Sequence, residues 1–334
     1  MVLLAGCSGG SAAPKGTPSR QIVYRVEDLT QGGHRVTTQV IAVAGPQRAR
    51  SELLEGEPPG GTSLGGIAFD TGSQYLLRSD GSSIVVQDIA PAFAGSVQHL
   101  DVALATAVRH GQATAGATAS VAGLACTVFV SKEPLDQGSI SQAVGGDRTT
   151  SCVSPEGLLL SEEWSLSGSV VRRRTAVTVG EGPDLTGNGL FAGKAPTPAP
   201  PGQPTEQVKQ VDLATLTTAL GIPAPSEPLG LPLTAQVAVI QSDPGGGVAL
   251  EGGVFSWGSG DQLVVLRVER GLTAPLVVGT AGAAVEVGGR TLRVSGVAAG
   301  VRVRFAGPRG LVATVTADVP EADLLTWLAT VSLG

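Results

Sequence analysis

The chain has 334 residues, of which 48 are glycine and 22 proline, so about one residue in five breaks regular structure and a coiled-coil or other long-helix protein is excluded. Charged residues make up 15%, aromatic residues 3% and hydrophobic residues 42%, with a mean hydropathy of +0.23, which allows a core built mostly of Val, Leu and Ala. The net charge of −6 offers no basic face for nucleic acid, and the length suits two domains or one large domain.

The N-terminus holds a short apolar segment that ends in a cysteine. Leu4-Ala5-Gly6-Cys7 resembles the lipobox of bacterial lipoproteins, in which the cysteine is lipid-modified, and a flexible Gly/Ser/Ala/Pro stretch follows up to Ser19. A signal peptide needs an apolar region of about 7 to 15 residues, so we expect the true start to lie upstream. The alternative is a chance cysteine in a disordered tail. We predict a chain anchored by lipid on Cys7 at the extracytoplasmic face of the bacterial cell membrane.

Short strands separated by turns fill the first half of the chain, over 22–26, 36–43, 48–54, 66–70, 74–78 and 84–86. This pattern predicts a meander of antiparallel strands. The period changes over Ser96 to His110, where apolar residues at helical spacing predict an amphipathic helix with Ser96 as N-cap and Gly111 beyond its end. Strands resume over 120–132, 157–160, 162–166 and 170–179.

Cys126 and Cys152 form the remaining cysteine pair, separated by 26 positions across a polar segment. In an oxidising compartment this spacing predicts one disulfide, worth about 3 kcal/mol on the loop-entropy model. A metal site lacks ligands, because there is no C-x-x-C pair and the histidines are distant in sequence. The sequence therefore predicts a disulfide, and neither a metal nor a cofactor.

A proline-rich stretch from Ala195 to Gly202 marks the division between two domains. The predicted boundaries are 1–20 for the tether, 21–187 for the first domain, 188–207 for the linker and 208–334 for the second domain. A helix over 208–220 opens the second half. Strands follow over 237–241, 253–257, 262–269, 284–287, 291–294, 301–305 and 311–317, and a final helix begins near Pro320.

The sequence contains no set of residues that predicts catalysis. Gly61 to Gly65 matches the G-x-S-x-G motif of serine hydrolases, but that motif works on a strand-to-helix elbow and a strand pattern follows here. His34 is expected to be solvated, and His99 and His110 to be surface or helix-end residues. We therefore predict a protein that is not an enzyme.

Two charged runs have structural interpretations. Glu162 and Glu163 stand on a strand and point to opposite faces, which argues against a shared acid/base pair. Arg172, Arg173 and Arg174 alternate faces in the same way. The preferred interpretation is that these arginines are solvated guard residues of an edge strand, where their charge prevents pairing with another chain. The alternative is an anion site.

The strand order of the first half resembles the LolA/LppX/RseB superfamily of periplasmic and surface lipoproteins. The residues that carry this resemblance are 121–129, 157–164 and 170–179, and Gly157 to Leu160 matches the family's GL-x-L turn. The second half resembles the small C-terminal domain of RseB-like proteins through a hairpin over 301–316 and a helix over 321–331. The resemblance implies an α+β fold, with a curved antiparallel half-barrel sheet and packing helices, followed by a smaller β-rich domain with a C-terminal helix.

The same resemblance implies an apolar concavity in the first domain that holds a lipid or acyl ligand, or a lipoprotein. The candidate pocket residues are Tyr24, Phe69, Tyr75, Leu77, Phe93, Leu100, Leu104 and Phe129, each of which could instead fill the core. With few aromatics and one methionine, a pocket lined by Leu and Val would be smaller or less adaptable than a bulk carrier's. The alternative function is an RseB-like envelope-stress regulator that binds a transmembrane anti-sigma factor.

Overall fold

The computed structural model describes residues 19–29, 33–45, 47–70, 73–88, 100–131, 147–191, 194, 196–197, 207–242, 248–259, 262–270, 282–297 and 300–333. Cys7, Phe93, Ser96 and His99 fall outside these residues. Within them the chain forms two antiparallel sheets, of 11 and 8 strands, and three α-helices. The predicted α+β fold with two sheets and a C-terminal helix is confirmed. No helix in the described part of the chain is long and apolar enough to span a membrane.

The first sheet contains eleven strands in the order β6-β5-β4-β3-β2-β1-β11-β10-β9-β8-β7. Their bounds are β1 Arg20–Asp28, β2 Arg35–Ala44, β3 Arg48–Glu55, β4 Ser63–Asp70, β5 Ser73–Leu77, β6 Ser83–Asp88, β7 Ala113–Val121, β8 Leu124–Ser131, β9 Arg148–Val153, β10 Leu159–Leu166 and β11 Ser169–Glu181. Helix α1, Leu100–Arg109, lies between β6 and β7 in the chain, and a 3₁₀ turn, Gly187–Phe191, follows β11.

The second sheet contains eight strands in the order β12-β13-β14-β15-β19-β18-β17-β16. Their bounds are β12 Gln207–Gln210, β13 Leu233–Ser242, β14 Val248–Ser259, β15 Gln262–Arg270, β16 Ala283–Val287, β17 Arg290–Val297, β18 Gly300–Ala306 and β19 Leu311–Ala317. Helix α2, Leu213–Leu220, follows β12, and helix α3, Glu321–Thr330, follows β19; the 3₁₀ turns Pro228–Gly230 and Pro308–Gly310 complete this half.

Alternating burial along β1 defines the two faces of the first sheet. Ile22, Tyr24 and Val26 are fully buried on one side, which we call the inner face, and the half-buried residues between them point to the outer face. Because cross-strand partners share a face, the register assigns positions on the neighbouring strands. Leu100 and Leu104 of α1 belong to the same core cluster as these three residues, so α1 packs on the inner face.

The outer face is covered near β4 and β5 by the chain that follows β11. Leu185 and Leu190 are 1% and 0% exposed and pack with Leu77, and the Phe191 ring meets the Tyr75 ring edge-on at 4.7 Å. Thr197 then forms a parallel bridge to Ile84 of β6. The described residues of the predicted linker, 188–207, thus pack on the first sheet as far as residue 197, because they carry apolar side chains and pair with its edge strand. The linker assignment itself stays a prediction.

Helix α1 also contacts the second sheet, so it lies between the two halves of the chain. An added Cβ at Gly296 in β17 would lie 2.1 Å from the carbonyl oxygen of Ala103 and 3.1 Å from the amide nitrogen of Ala107. Both alanines are 0% exposed, and Val102 packs against the core of the second half. Small residues on both surfaces therefore let the helix backbone touch the strand.

The end of α1 meets the start of α3 through ionisable side chains. Glu321 Oε1 lies 2.9 Å from His110 Nε2, and Glu321 Oε2 lies 3.0 Å from Arg109 Nη1. His110 follows the last residue of α1, which agrees with the predicted surface or helix-end position, and its side chain is only 13% exposed. The second half of the chain covers it.

Two strands of the first sheet escape the sequence analysis. The single strand predicted over 120–132 is wrong, because Ala122 and Gly123 adopt positive φ and turn the chain between β7 and β8. The polar segment after residue 131 contains β9, whose Thr and Ser side chains hide the strand pattern.

The helix predicted over 208–220 is wrong at its start. Residues 207–210 form β12, and the α-helix begins at Leu213, where the Asp212 carboxylate accepts a hydrogen bond from the Thr215 amide at 2.8 Å. An aspartate in this position satisfies one of the amides that a helix start leaves unpaired. Gly221 ends the helix in the left-handed region at φ 68°, as its position in the sequence predicts.

Candidate functional site

One row of the inner face passes from the core to solvent. Ile22, Ile41, Ser51, Ile67 and Leu76 are successive direct neighbours across β1, β2, β3, β4 and β5. Ile22 and Ile41 are 0% and 5% exposed, whereas Ile67 and Leu76 are 39% and 41% exposed. The row therefore continues the hydrophobic core as an exposed apolar surface.

The residues around the exposed end of this row are also uncharged. Leu53 and Phe69 stand two positions from Ser51 and Ile67 on the same face, and Ile84 is the partner of Leu76 on β6. We call Leu53, Ile67, Phe69, Leu76 and Ile84 the apolar strip. Its members are partly exposed, and no charged residue lies among the described inner-face positions of Ala49–Leu53, Gly65–Phe69 and Gln74–Leu76.

The charges of the same strands lie on the outer face. Arg48 pairs with Asp70 at 2.8 Å, and Arg50 pairs with Glu52 at 2.8 Å. Charged side chains normally lie on the solvated face of a sheet. Because successive side chains point to opposite faces, the charged residues of these strands lie on the outer face and the uncharged exposed residues lie on the inner face. Contiguous exposed apolar surface is a common feature of binding sites.

A buried group of polar and aromatic residues occupies the other end of the inner face. Arg172 and Arg174 stand on β11, opposite Asp28 and Val26 of β1, so they share the face of Val26. Each arginine is 6% exposed. The predicted solvated guard on an edge strand is therefore wrong, because β11 pairs with β1 and β10 in the middle of the sheet.

Both guanidinium groups stack on aromatic rings. The Arg172 and Arg174 Cζ atoms lie 5.4 Å and 5.6 Å from the centre of the Trp164 ring, and Arg174 also lies 5.2 Å from the centre of the Tyr24 ring. Arg174 Nη2 donates to Glu162 Oε2 at 2.7 Å. We call Tyr24, Glu162, Trp164, Arg172 and Arg174 the arginine cluster.

Tyr24 ties the cluster to the surrounding backbone. Its hydroxyl donates to the Leu159 carbonyl oxygen at 2.7 Å, and burial raises the pKa of the phenol well above its usual value. The hydroxyl is therefore a permanent donor near neutral pH, and it fixes the ring on which Arg174 stacks.

Hydrogen bonds connect the arginine cluster to the apolar strip. Arg174 Nη1 lies 3.4 Å from Gln39 Oε1, and Gln39 Nε2 donates to Ser51 Oγ at 3.0 Å. Ser51 is the direct cross-strand neighbour of Ile67. A polar path thus leads along the inner face from the buried arginines to the exposed apolar residues.

Comparisons with known proteins identify similar solved structures. No family model and no curated protein matches the chain. The MucA/MucB complex of Pseudomonas aeruginosa is 15% identical, with 91% of this chain and 89% of that chain covered and a TM-score of 0.34. LprF from Mycobacterium bovis is 16% identical, with 52% of this chain and 90% of that chain covered and a TM-score of 0.31. A LolA superfamily protein from Nitrosomonas europaea is 8% identical, with 90% of this chain and 84% of that chain covered and a TM-score of 0.19.

The structure divides the predicted pocket residues between two faces. Tyr24, Leu100 and Leu104 are buried in the inner-face core, and Phe69 and Phe129 pack against it. Tyr75 and Leu77 lie on the outer face beneath Leu190, because the strand alternation places them opposite Leu76. Phe93 lies outside the described residues. The seven described candidates therefore do not share one face of the sheet, and the ligand role of the inner-face members stays a prediction.

The sequence analysis missed Ile67 and Leu76 as surface residues. The apolar run 75–77 has hydrophobic side chains at both alternating positions, so its pattern does not indicate which of them faces the core. For Arg172 and Arg174 a signal existed, since Glu162 and Trp164 have the same spacing as the arginines and face them on β10. Pairing the two patterns would have predicted a buried cluster.

The remaining predicted site residues have structural roles in the described part of the chain. Cys126 and Cys152 form a disulfide between β8 and β9, with their Cα atoms 5.5 Å apart. Ser63 begins strand β4 and donates to Glu52 Oε1 at 2.6 Å, so it does not stand on a strand-to-helix elbow. Among the described residues no three His, Cys, Asp or Glu side chains form a group that could hold a metal ion.

Proposed function

We propose that this chain is a non-catalytic binding protein that holds an acyl chain on the apolar strip, at the extracytoplasmic face of the membrane. The observation that carries the proposal is the exposure of Ile67 and Leu76, at 39% and 41%, on an uncharged row continuous with the core. Apolar surface in water costs about 25 cal/mol per Å². An acyl chain laid across the strip would recover that free energy.

The strip suits an aliphatic ligand better than a peptide. Leu53, Ile67, Leu76 and Ile84 are aliphatic, and β4 and β5 are each paired on both sides. A peptide that adds a strand needs unpaired backbone groups at a sheet edge, and these strands have none to offer. An acyl chain needs no hydrogen bonds, so a paired and uncharged surface is sufficient for it.

The disulfide supports the extracytoplasmic location. Disulfides form and persist in oxidising compartments, and the Cys126–Cys152 bond joins two paired strands of the fold. Lipid on Cys7 is part of the same proposal. Its test is metabolic labelling with a fatty acid in a bacterial host that exports the chain, in which a Cys7→Ala variant should lose the label.

The binding proposal is tested by calorimetric titration with 1-monododecanoylglycerol, a neutral amphiphile. We expect saturable binding by the natural chain, and an affinity loss of about tenfold or more in Ile67→Asp, because the charge is desolvated by the ligand. Leu166→Asp is the matched control, since Leu166 is 43% exposed on β10, five strands away from β4 in the sheet.

Two outcomes would contradict the proposal. One is the absence of any binding by the natural chain, together with purified protein from which mass spectrometry identifies no bound lipid. The other is an equal affinity loss in the two aspartate variants. Either result would favour the alternative prediction, in which the chain is a regulator that binds a transmembrane anti-sigma factor.

A further inference from the structure

We propose that the arginine cluster binds the anionic headgroup, a carboxylate or a phosphate, of an amphiphile whose acyl chain lies on the apolar strip. This inference rests on the proposed function and assigns the chemical class of its ligand. It is carried by the charge balance of the cluster, by two buried donors and by the polar path to the strip.

The buried positive charge in the cluster exceeds the buried negative charge. Arg172 and Arg174 are each 6% exposed, and Glu162, 3% exposed, pairs with Arg174. Arg172 Nε forms an ion pair with Asp28 Oδ1 at 3.4 Å, and the Asp28 side chain is 37% exposed, so this pair is long and open to solvent on one side. A buried charge needs a close partner, and an anion beside Arg172 would supply one.

The acid–base chemistry of Arg172 agrees with this imbalance. Burial lowers the pKa of its guanidinium, and the positive charge of Arg174 lowers it further, against the opposing effects of Asp28 and Glu162. The cationic form of Arg172 is therefore held in an unfavourable environment that a bound anion would improve.

Two buried donor atoms of the cluster lack good acceptors among the described residues. Trp164 Nε1 has no hydrogen-bond acceptor among the described residues, and Arg172 Nε has only the long contact of 3.4 Å to Asp28 Oδ1, which is an ion pair without hydrogen-bond geometry. The two groups are close, because Arg172 and Trp164 are direct cross-strand neighbours and the guanidinium stacks on the indole ring. Buried donors without good acceptors are rare in proteins, and a carboxylate or phosphate beside Arg172 and Trp164 would supply acceptor oxygens.

The position of the cluster fits one amphiphilic ligand. Strands β11 and β3 are three steps apart in the sheet, or about 14 Å at the usual strand spacing. Arg174, Gln39 and Ser51 bridge this distance with hydrogen bonds, and Ile67 and Leu76 continue beyond Ser51. A headgroup at the arginines would thus place its chain along the inner face toward the exposed apolar residues.

The test compares probes that share a chain and differ in the headgroup, by calorimetry below their micelle concentrations. Sodium dodecanoate and dodecyl phosphate are the anionic probes, 1-monododecanoylglycerol is the neutral probe, and acetate and inorganic phosphate are anions without a chain. We expect the anionic amphiphiles to bind about tenfold or more tightly than the neutral one, the usual worth of a charge-assisted hydrogen bond. Acetate or inorganic phosphate binding as tightly as the amphiphiles would overturn the amphiphile assignment.

Arg172→Met is the decisive variant. It should remove the preference for anionic probes and leave the affinity for 1-monododecanoylglycerol unchanged, while the thermal stability of the free protein stays the same or rises. Arg173→Met is the matched control, because Arg173 stands between the two buried arginines but pairs with Glu163 on the outer face. Equal losses for anionic and neutral probes in Arg172→Met, or the same loss in Arg173→Met, would overturn the inference.

A second variant keeps the inference testable if Arg172→Met does not fold. Trp164→Phe retains a ring for the guanidinium to stack on and removes the Nε1 donor. We expect weaker binding of dodecanoate with unchanged binding of the neutral probe, and unchanged affinities for both would count against the headgroup site. A natural chain that binds no probe at all refutes the proposed function, whereas equal binding of all three amphiphiles refutes only the headgroup site.

Discussion

The side chain of Glu321 is one of the contacts between the two halves of the molecule. It is 4% exposed in the first turn of α3, where a negative charge is favoured by the helix dipole, and its carboxylate contacts His110 and Arg109 at the end of α1. Because these partners come from the first half of the chain, the contact couples α1 to the second core.

Replacing this carboxylate tests the coupling. We expect Glu321→Gln to lower the free energy of unfolding by about 1 to 3 kcal/mol, since it weakens two contacts of a buried group. Asp323→Asn is the control, because Asp323 is exposed in the same helical turn. Urea denaturation followed by circular dichroism measures both variants, and equal stabilities would show that Glu321 contributes nothing to the link.

At the scale of elements, the disulfide holds β8 and β9 together across a long connection. The cysteines are separated by 26 positions, and the strands they join lie near one end of the first sheet. A covalent link here reduces the entropy of the unfolded chain. It also secures β9, whose sequence, rich in Thr and Ser, provides few large apolar side chains.

Removing both cysteines should therefore destabilise the fold. In a Cys7→Ala background, Cys126→Ala combined with Cys152→Ala should lower the free energy of unfolding by about 3 kcal/mol, measured by urea denaturation. A reducing agent should destabilise the parent by a similar amount and leave the double variant unaffected. If reduction changes neither protein, the bond does not contribute to stability.

At the scale of the whole molecule, α1 is the element that both sheets share. Its leucines belong to the core of the first half, while its backbone meets β17 at Gly296. A helix held between two sheets transmits a shift on one side to the other. Helix α1 therefore packs on the inner face, where the proposed ligand would lie, and also on β17 of the second half.

The close approach at Gly296 gives a sharp test of this contact. In Gly296→Ala the new Cβ would lie 2.1 Å from the Ala103 carbonyl oxygen, so α1 must shift or detach, at a cost of about 1 to 3 kcal/mol. Gly180→Ala is the matched control, since an added Cβ on that strand glycine meets nothing within 4 Å. Thermal unfolding and limited proteolysis should distinguish the two, and identical behaviour would exclude a tight helix-to-strand contact.

Local sequence patterns predict most of the strands and helices of this protein. Glycine turns and apolar alternation predicted β1 to β6 and β13 to β19, the period change predicted α1, and the cysteine spacing predicted the disulfide. These features depend on residues close in the chain, so they can be predicted without knowledge of the tertiary structure. Strand β9 escaped because polar residues carry no hydrophobic period.

Only the tertiary structure decided which residues are buried and which are exposed. The strand over 74–77 could place either Leu76 or Tyr75 and Leu77 toward the inner face, and the pairing of Ile67 with Leu76 settled the choice. Arg172 and Arg174 became a buried cluster because β11 pairs with β1, the most distant strand of the same sheet in sequence. Burial depends on such long-range pairing, which local sequence patterns do not encode, and the candidate site therefore emerged from the fold.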